Sequence, residues 1–269
     1  MNKNVPCVTS LVLVGFLVFG ASTARADDDG RPDSCKALPS HAALRSALVA
    51  AQGAGNGGFG LQMWATVVNR DGVVCAVAFT GGSRGDQWPG SRVISAQKAN
   101  TANAFSLPGL ALSTANIYSA VQPGGSLFGL QESNPVDVGV AYGGNSGNYG
   151  QANDPMVGGK IGGVNVFGGG LALYNSAGLI VGGVGVSGDS SCADHNIAWR
   201  TRHNLNLDFL TTAGAGGVSG DGSRPDNIVY DIKSHPFQMN GVSASGWGQP
   251  HCVNADTESA IAASLPVVQ

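Results

Sequence analysis

The stretch from Lys160 to Leu210, KIGGVNVFGGGLALYNSAGLIVGGVGVSGDSSCADHNIAWRTRHNLNLDFL, constrains the fold most, because it runs a glycine-rich hairpin straight into a helix. LALY and LIVGGVGVS have the apolar, β-branched character of strands, and Asn175, Ser176, Ala177 and Gly178 form the turn between them. Ser191 and Asp194 make an S-x-x-D capping box that opens the helix. A helix N-terminus after GVSGD leaves several backbone N–H groups available to an anion.

Upstream, Leu44, Ala47, Leu48 and Ala51 recur at helical spacing after Ser40, and AGNGG stops that helix. MWATVVNR and GVVCAVAF read as an earlier hairpin turning at Asn69, Arg70, Asp71 and Gly72. Ser91 to Phe105 reads as a second helix, preceded by Pro89 and closed by Pro108. Residues 111–160 hold a short helical piece, PGGSLFGL, and the long loop YGGNSGNYGQANDPMVGG, whose length marks it as functional or poorly ordered. Tyr142, Tyr149 and Met156 in this loop are lid candidates, against a reading as mobile loop residues. After Leu210 the composition shifts to Gly, Ser and Asp, and only NIVYDI and the region before Cys252 are strand-like.

The first 26 residues read as a secretory signal: Lys3 is the basic end, Leu11 to Phe19 the apolar segment, and Ala24-Arg25-Ala26 the cleavage site. The apolar run is too short to span a membrane. Cleavage near Ala26 implies a secreted or periplasmic protein with no span in the mature chain. It removes Lys3 and Arg25 from 14 basic residues and leaves 12 against 17 acidic ones, a formal charge of −5 that argues against nucleic acid as a partner.

The mature chain keeps Cys35, Cys75, Cys192 and Cys252, an even number that in an exported protein suggests two disulfides. Four cysteines allow three connectivities. A helix running back along the strand it precedes would bring Cys35 near the hairpin of Cys75, leaving Cys192 to hold Cys252; this pairing is the expectation. There is no C-x-x-C pair, which disfavours a zinc knuckle and covalent heme.

At 100° per residue, Ile94, Lys98, Thr101 and Phe105 share one stripe of the second helix, placing an ammonium where apolar contact with the sheet is expected. Such a lysine snorkels, pairs with a carboxylate, or faces a ligand cavity that takes an anion. Asp194 shares a stripe with Ile197, Thr201 and Leu205, and its capping position already explains it. His195 points away from that stripe toward Arg202 and reads either as a surface or hydrogen-bonded residue or as a ligand.

Several motifs fail on context. G-x-G-x-x-G occurs at Gly53, Gly55 and Gly58 and again at Gly55, Gly57 and Gly60, but follows a helix and precedes a strand, the reverse of a dinucleotide site. GVSGD is not a G-x-S-x-G nucleophile elbow, and there is no P-loop, H-E-x-x-H or EF-hand loop.

The helix SRVISAQKANTANAF, with K-A-x-T-A at Lys98 to Ala102, and the hairpin VNVFGGGLALYNSAGLIVGGVGVSG with its CADHN helix resemble the GlcG/HbpS-like heme-binding family and the C-terminal domain of PduO-type proteins over roughly residues 40–212. The resemblance implies an α+β, profilin- or PAS-like fold, with an antiparallel sheet of about five strands flanked by helices, assembled as a homo-oligomer. It divides the chain into the signal peptide at 1–26, the family domain at 27–212, and a disulfide-tied extension at 213–269. The implied ligand is heme, with a corrinoid less favoured, and the implied role is heme sensing or slow heme degradation. The resemblance places Lys98 and Thr101 at the pocket, with Thr101 a candidate iron ligand and His195 the alternative. Gly183, Gly185 and Gly188 would line the opposite wall, and the N–H groups near Ser187 and Gly188, with Lys98, would receive propionates. The chain departs from shorter members in its four cysteines, its 139–160 loop and its tail.

Three function classes follow: a tetrapyrrole-binding protein, an enzyme acting on a small anionic metabolite with Lys98 as acid or base, and a non-catalytic oligomeric interaction module with an ion-paired Lys98.

Overall fold

The computed structural model describes Met1 and residues 31–269 except Phe237, so the expected signal segment and cleavage site, Met1 apart, lie outside the described residues. The helices are α1 (His41–Gln52), α2 (Ser91–Phe105), α3 (Thr114–Ile117), α4 (Val138–Tyr142), α5 (Ser191–Asn204), α6 (Leu210–Ala213) and α7 (Ala255–Ser264). The strands are β1 (Trp64–Asn69), β2 (Val74–Phe79), β3 (Gly170–Tyr174), β4 (Ile180–Ser187), β5 (Ile232–His235) and β6 (Gln238–Ser243).

The two expected hairpins interlock as one antiparallel sheet in the order β2-β1-β4-β3. The protein is α+β, with four strands in this sheet rather than about five; β5 and β6 pair separately in the tail. Most of the strand-like NIVYDI forms no strand, because Asn227 and Ile228 are held by His195 and by the Ala262 carbonyl, away from any ladder.

Alternate strand residues point to opposite faces. Trp64, Val68, Val77 and Phe79 pack on Val93, Ala96 and Ala99 of α2. Ala65, Val67, Leu171, Val184 and Val186 pack on the other side against Leu44 and Leu48 of α1 and Ile197 and Trp199 of α5. Both faces are therefore covered, which is why β1 and β2 read as continuous apolar runs. Each fully buried Val, Leu, Ile or Phe side chain contributes about 1.5–3 kcal/mol.

Gly183 and Gly185 set how closely α2 approaches. A Cβ at Gly185 would lie 1.9 Å from the Ser95 carbonyl oxygen, and one at Gly183 would lie 2.4 Å from that of Ala99. The helix backbone thus rests directly on β4.

Both expected disulfides form, Cys35–Cys75 and Cys192–Cys252. The long loop is anchored rather than poised as a lid. Arg92 donates through Nε to Asp154 Oδ2 at 2.8 Å and through Nη2 to Oδ1, its guanidinium lies 3.6 Å from the Tyr149 ring centroid, and Met156 is fully buried. The tail is fastened in the same manner by a buried pair, Arg202 Nη1 with Asp226 Oδ2 at 2.6 Å. Arg31–Gln269 form one unit, and no helix among the described residues is long and apolar enough to cross a membrane.

Candidate functional site

Where β4 ends and turns into α5, a cavity of about 330 Å³ opens beside the first turns of α2. Its apolar walls are Trp88, Ile94 and Phe167, its hydroxyls are Ser91, Ser187 and Ser191, and its charged groups are Lys98, Asp189 and Asp194. Trp88 is 53% exposed and Phe167 37%, whereas Lys98 is 1% and Asp194 2% exposed, so exposed rings surround a buried ion pair.

Lys98 Nζ donates to Asp194 Oδ2 at 2.7 Å and to the Val186 carbonyl at 3.3 Å. It lies 5.8 Å from the Phe167 ring centroid, within cation–π range. Lys98 is thus paired with a carboxylate and also lines the cavity. Burial pushes the Asp194 carboxyl up to about 6, against the opposing pull of Lys98 and of the Asp189 amide.

The helix cap differs from the expected S-x-x-D box. Ser190 is the N-cap, its hydroxyl accepting from Ala193 N at 3.3 Å, one residue earlier than expected. Asp194 instead accepts from Asp189 N at 2.9 Å, while Asp189 accepts from Ser190, Phe59 and Leu61 N–H groups. The N–H groups at this helix start thus already have partners within the protein, Asp189 and Ser190 on the carboxylates, Ala193 on the Ser190 hydroxyl and Cys192 on Cys252 Sγ.

The other expected site residues separate into two groups. Ser187 lines the cavity and donates its hydroxyl to Ser91 Oγ at 3.2 Å. Gly183 and Gly185 face the α2 backbone, and Gly188, at φ +154°, has its open side against the Gln62 carbonyl oxygen, 2.5 Å from where a Cβ would stand. Thr101 is fully buried outside the lining, donating to the Gln97 carbonyl at 2.8 Å and accepting from Asn165 N at 3.0 Å. His195 is fully buried on the α5 side, where Nε2 accepts from Ile228 N at 3.1 Å and lies 3.1 Å from Asn227 Oδ1. Its Nδ1 has no hydrogen-bond partner among the described residues. Burial lowers its pKa to about 4, so the ring is neutral at neutral pH.

Trp88, Phe167, Ser91 and Asp189 were not singled out in the sequence. Trp88 directly precedes the Pro89 that introduces α2, and Phe167 directly precedes Gly168-Gly169-Gly170; both positions mark an aromatic beside a chain reversal.

Residues 38–202 match the model of the family described as "Haem degrading protein HbpS-like". No curated protein sequence matches the chain. Among solved structures, the crystal structure of the PduOC:heme complex is 24% identical, covering 63% of this chain and 96% of that one at a TM-score of 0.44. The Klebsiella pneumoniae protein ORFY is 24% identical, covering 62% and 90% at a TM-score of 0.41. HbpS is 18% identical, covering 61% and 84% at a TM-score of 0.37.

Proposed function

Because the chain belongs to the HbpS-like family, we propose that it is an exported heme-binding protein that docks the tetrapyrrole at the Lys98 cavity. The observation that carries this reading is a buried ammonium in the lining of a cavity whose walls include two exposed aromatic rings. Such a lining fits a planar apolar edge that bears carboxylates. Trp88, Ile94 and Phe167 meet the ring edge, while Lys98, Ser91 and Ser187 meet a propionate.

Lys98 is already neutralised by Asp194. A propionate entering beside this pair adds a buried negative charge, and the least costly response is for Asp194 to take up a proton, which its raised pKa favours. Heme binding is therefore coupled to proton uptake. Apart from the ion-paired Lys98 nitrogen the lining offers iron only oxygen donors, so the residues bind and orient the macrocycle, and the heme, when bound, would supply the redox chemistry.

Thr101 and His195 act from behind the lining in this reading. Thr101 fixes Asn165, two residues before Phe167, and His195 fixes Asn227–Ile228 of the tail. Gly183 and Gly185 let α2 lie on β4, Gly185 against the Lys98 Cβ, while Gly188 lies against Gln62 and Met63 at the end of the strand. Export is supported by the two disulfides, which engage every cysteine after residue 26.

The Lys98–Asp194 pair also favours a second reading, an enzyme acting on a small anionic metabolite, since a carboxyl at about 6 titrates near neutral pH. Parallel titrations with hemin and iron-free protoporphyrin IX distinguish them. The proposal expects saturable binding of both, with affinities within about tenfold of each other, because the contacts are to ring edge and carboxylate. Failure of both to bind overturns it in favour of the metabolite reading.

A further inference from the structure

The Cys192–Cys252 disulfide adjoins the cavity through Ser191, but its sulfurs have no part in the binding described above, and its surroundings contain more than a staple needs. We propose that it is a redox-opened metal site: once reduced, the two thiolates bind one borderline-soft divalent cation, zinc being the type, with Glu258 as the third ligand. The two Sγ atoms and a Glu258 carboxylate oxygen lie within 4.8 Å of one another. Ligand atoms on one tetrahedral zinc, at bond lengths of about 2.0–2.3 Å, stand roughly 3.3–3.8 Å apart, so once the bond is cut the sulfurs part by about 1.7 Å and the carboxylate moves in by about 1 Å.

The neighbouring groups suit sulfur that carries negative charge. Cys192 N donates to Cys252 Sγ at 3.1 Å, the Ser191 hydroxyl lies 3.4 Å from the same sulfur, and Gln249 Nε2 lies 3.7 Å from Cys192 Sγ. Cys192 also sits in the first turn of the 14-residue α5, where the helix N-terminus favours a thiolate. Glu258 accepts from the N–H groups of Cys252 at 2.9 Å and Val253 at 2.7 Å, which ties the carboxylate to the cysteine it would work with. His251 Nδ1 lies 3.0 Å from Glu258 Oε2, and its ring stacks on Tyr230 with centroids 4.0 Å apart, so the carboxylate has a fixed orienting partner.

Accessibility selects this bond over the other. Cys252 is exposed, whereas Cys35 and Cys75 are both fully buried. The reductant is a dithiol, which becomes a disulfide while Cys192 and Cys252 each gain one electron and one proton. A phosphine does the same, leaving as phosphine oxide with an oxygen from water. The cation then displaces the two thiol protons to solvent.

The test uses the mature chain, reduced anaerobically with a water-soluble phosphine, freed of it, and titrated with Co(II) and Zn(II). The proposal predicts one equivalent of Co(II) with thiolate-to-cobalt charge-transfer absorption, none in the oxidised protein, loss in Cys252→Ser, and binding at least about tenfold weaker in Glu258→Gln. Reduced protein that binds no more than oxidised protein overturns it, as does absorption that persists in Cys252→Ser. Should these variants not fold, alkylation of the reduced wild type read by mass spectrometry decides: Zn(II) is expected to protect Cys192 and Cys252, and unprotected modification of both contradicts the site.

Discussion

Lys98 of α2 and Asp194 of α5 meet at 2.7 Å around the end of β4, joining helices that cover opposite faces of the sheet. The contact exists because Gly185 lets α2 lie on the strand and because α5 starts immediately beyond it. The same pair underlies the candidate cavity, so packing and ligand chemistry depend on one contact.

Breaking that pair on one side leaves a buried charge without its partner. Lys98→Met and Asp194→Leu are each expected to cost about 3–5 kcal/mol, whereas the two together cost less than either alone. Urea denaturation of the four proteins completes the cycle, and purely additive losses would show that the two residues are not coupled.

Asp194 and His195 are displaced in opposite directions, the carboxyl up to about 6 and the imidazole down to about 4. A carboxyl raised in the folded state holds its proton more tightly there, so its contribution to stability falls as pH climbs from about 4 to about 6. An imidazole lowered in the folded state does the reverse, and its contribution grows from about pH 4 to about 6.5. The wild type is expected to change little across this window. Asp194→Asn, though less stable overall, gains up to about 3 kcal/mol as pH rises, and His195→Asn loses stability over the same range. Parallel pH profiles for all three proteins would contradict the assignment.

Gly185→Ala places a methyl group 1.9 Å from the Ser95 carbonyl oxygen and 2.4 Å from Ala99 N. The helix must then lift from the strand, at a cost of about 1–3 kcal/mol or more. Thermal melting checks this, and an unchanged midpoint would mean that α2 rests elsewhere.

Arg92→Met removes the guanidinium that Asp154 and Tyr149 share. The expected loss is about 3–5 kcal/mol, from the stranded Asp154 carboxylate. Limited proteolysis should then cut within residues 142–160, a segment expected to resist in the wild type; equal resistance in both would show that other contacts hold the loop.

Much of the architecture was legible locally. The limits of α2 matched the span set by Pro89 and Pro108, and both hairpins lie where their turns and β-branched runs place them. Both cysteine pairings also followed from the order of the elements. What was not legible depends on groups distant in sequence. Arg92 finds Asp154 after 62 positions and Lys98 finds Asp194 after 96, so a loop open to reading as a lid is anchored and an acid that reads as a cap is an ion-pair partner. Thr101 shares the helical stripe of Lys98, but one turn carries its hydroxyl to the Gln97 carbonyl and Asn165 instead of the cavity. The first tail strand starts only at the last residue of NIVYDI, Ile232, because Asn227 and Ile228 spend their polar groups on His195 and α7.

The most direct measurement is a hemin titration of the oxidised mature chain and of Lys98→Met, followed by Soret absorbance at pH 6 and pH 7.5. Saturable, stoichiometric binding is expected that tightens at the lower pH as Asp194 takes up its proton, and that weakens at least about tenfold in Lys98→Met. Hemin that adsorbs without saturation, or that binds a folded Lys98→Met protein as tightly as wild type at both pH values, would contradict it.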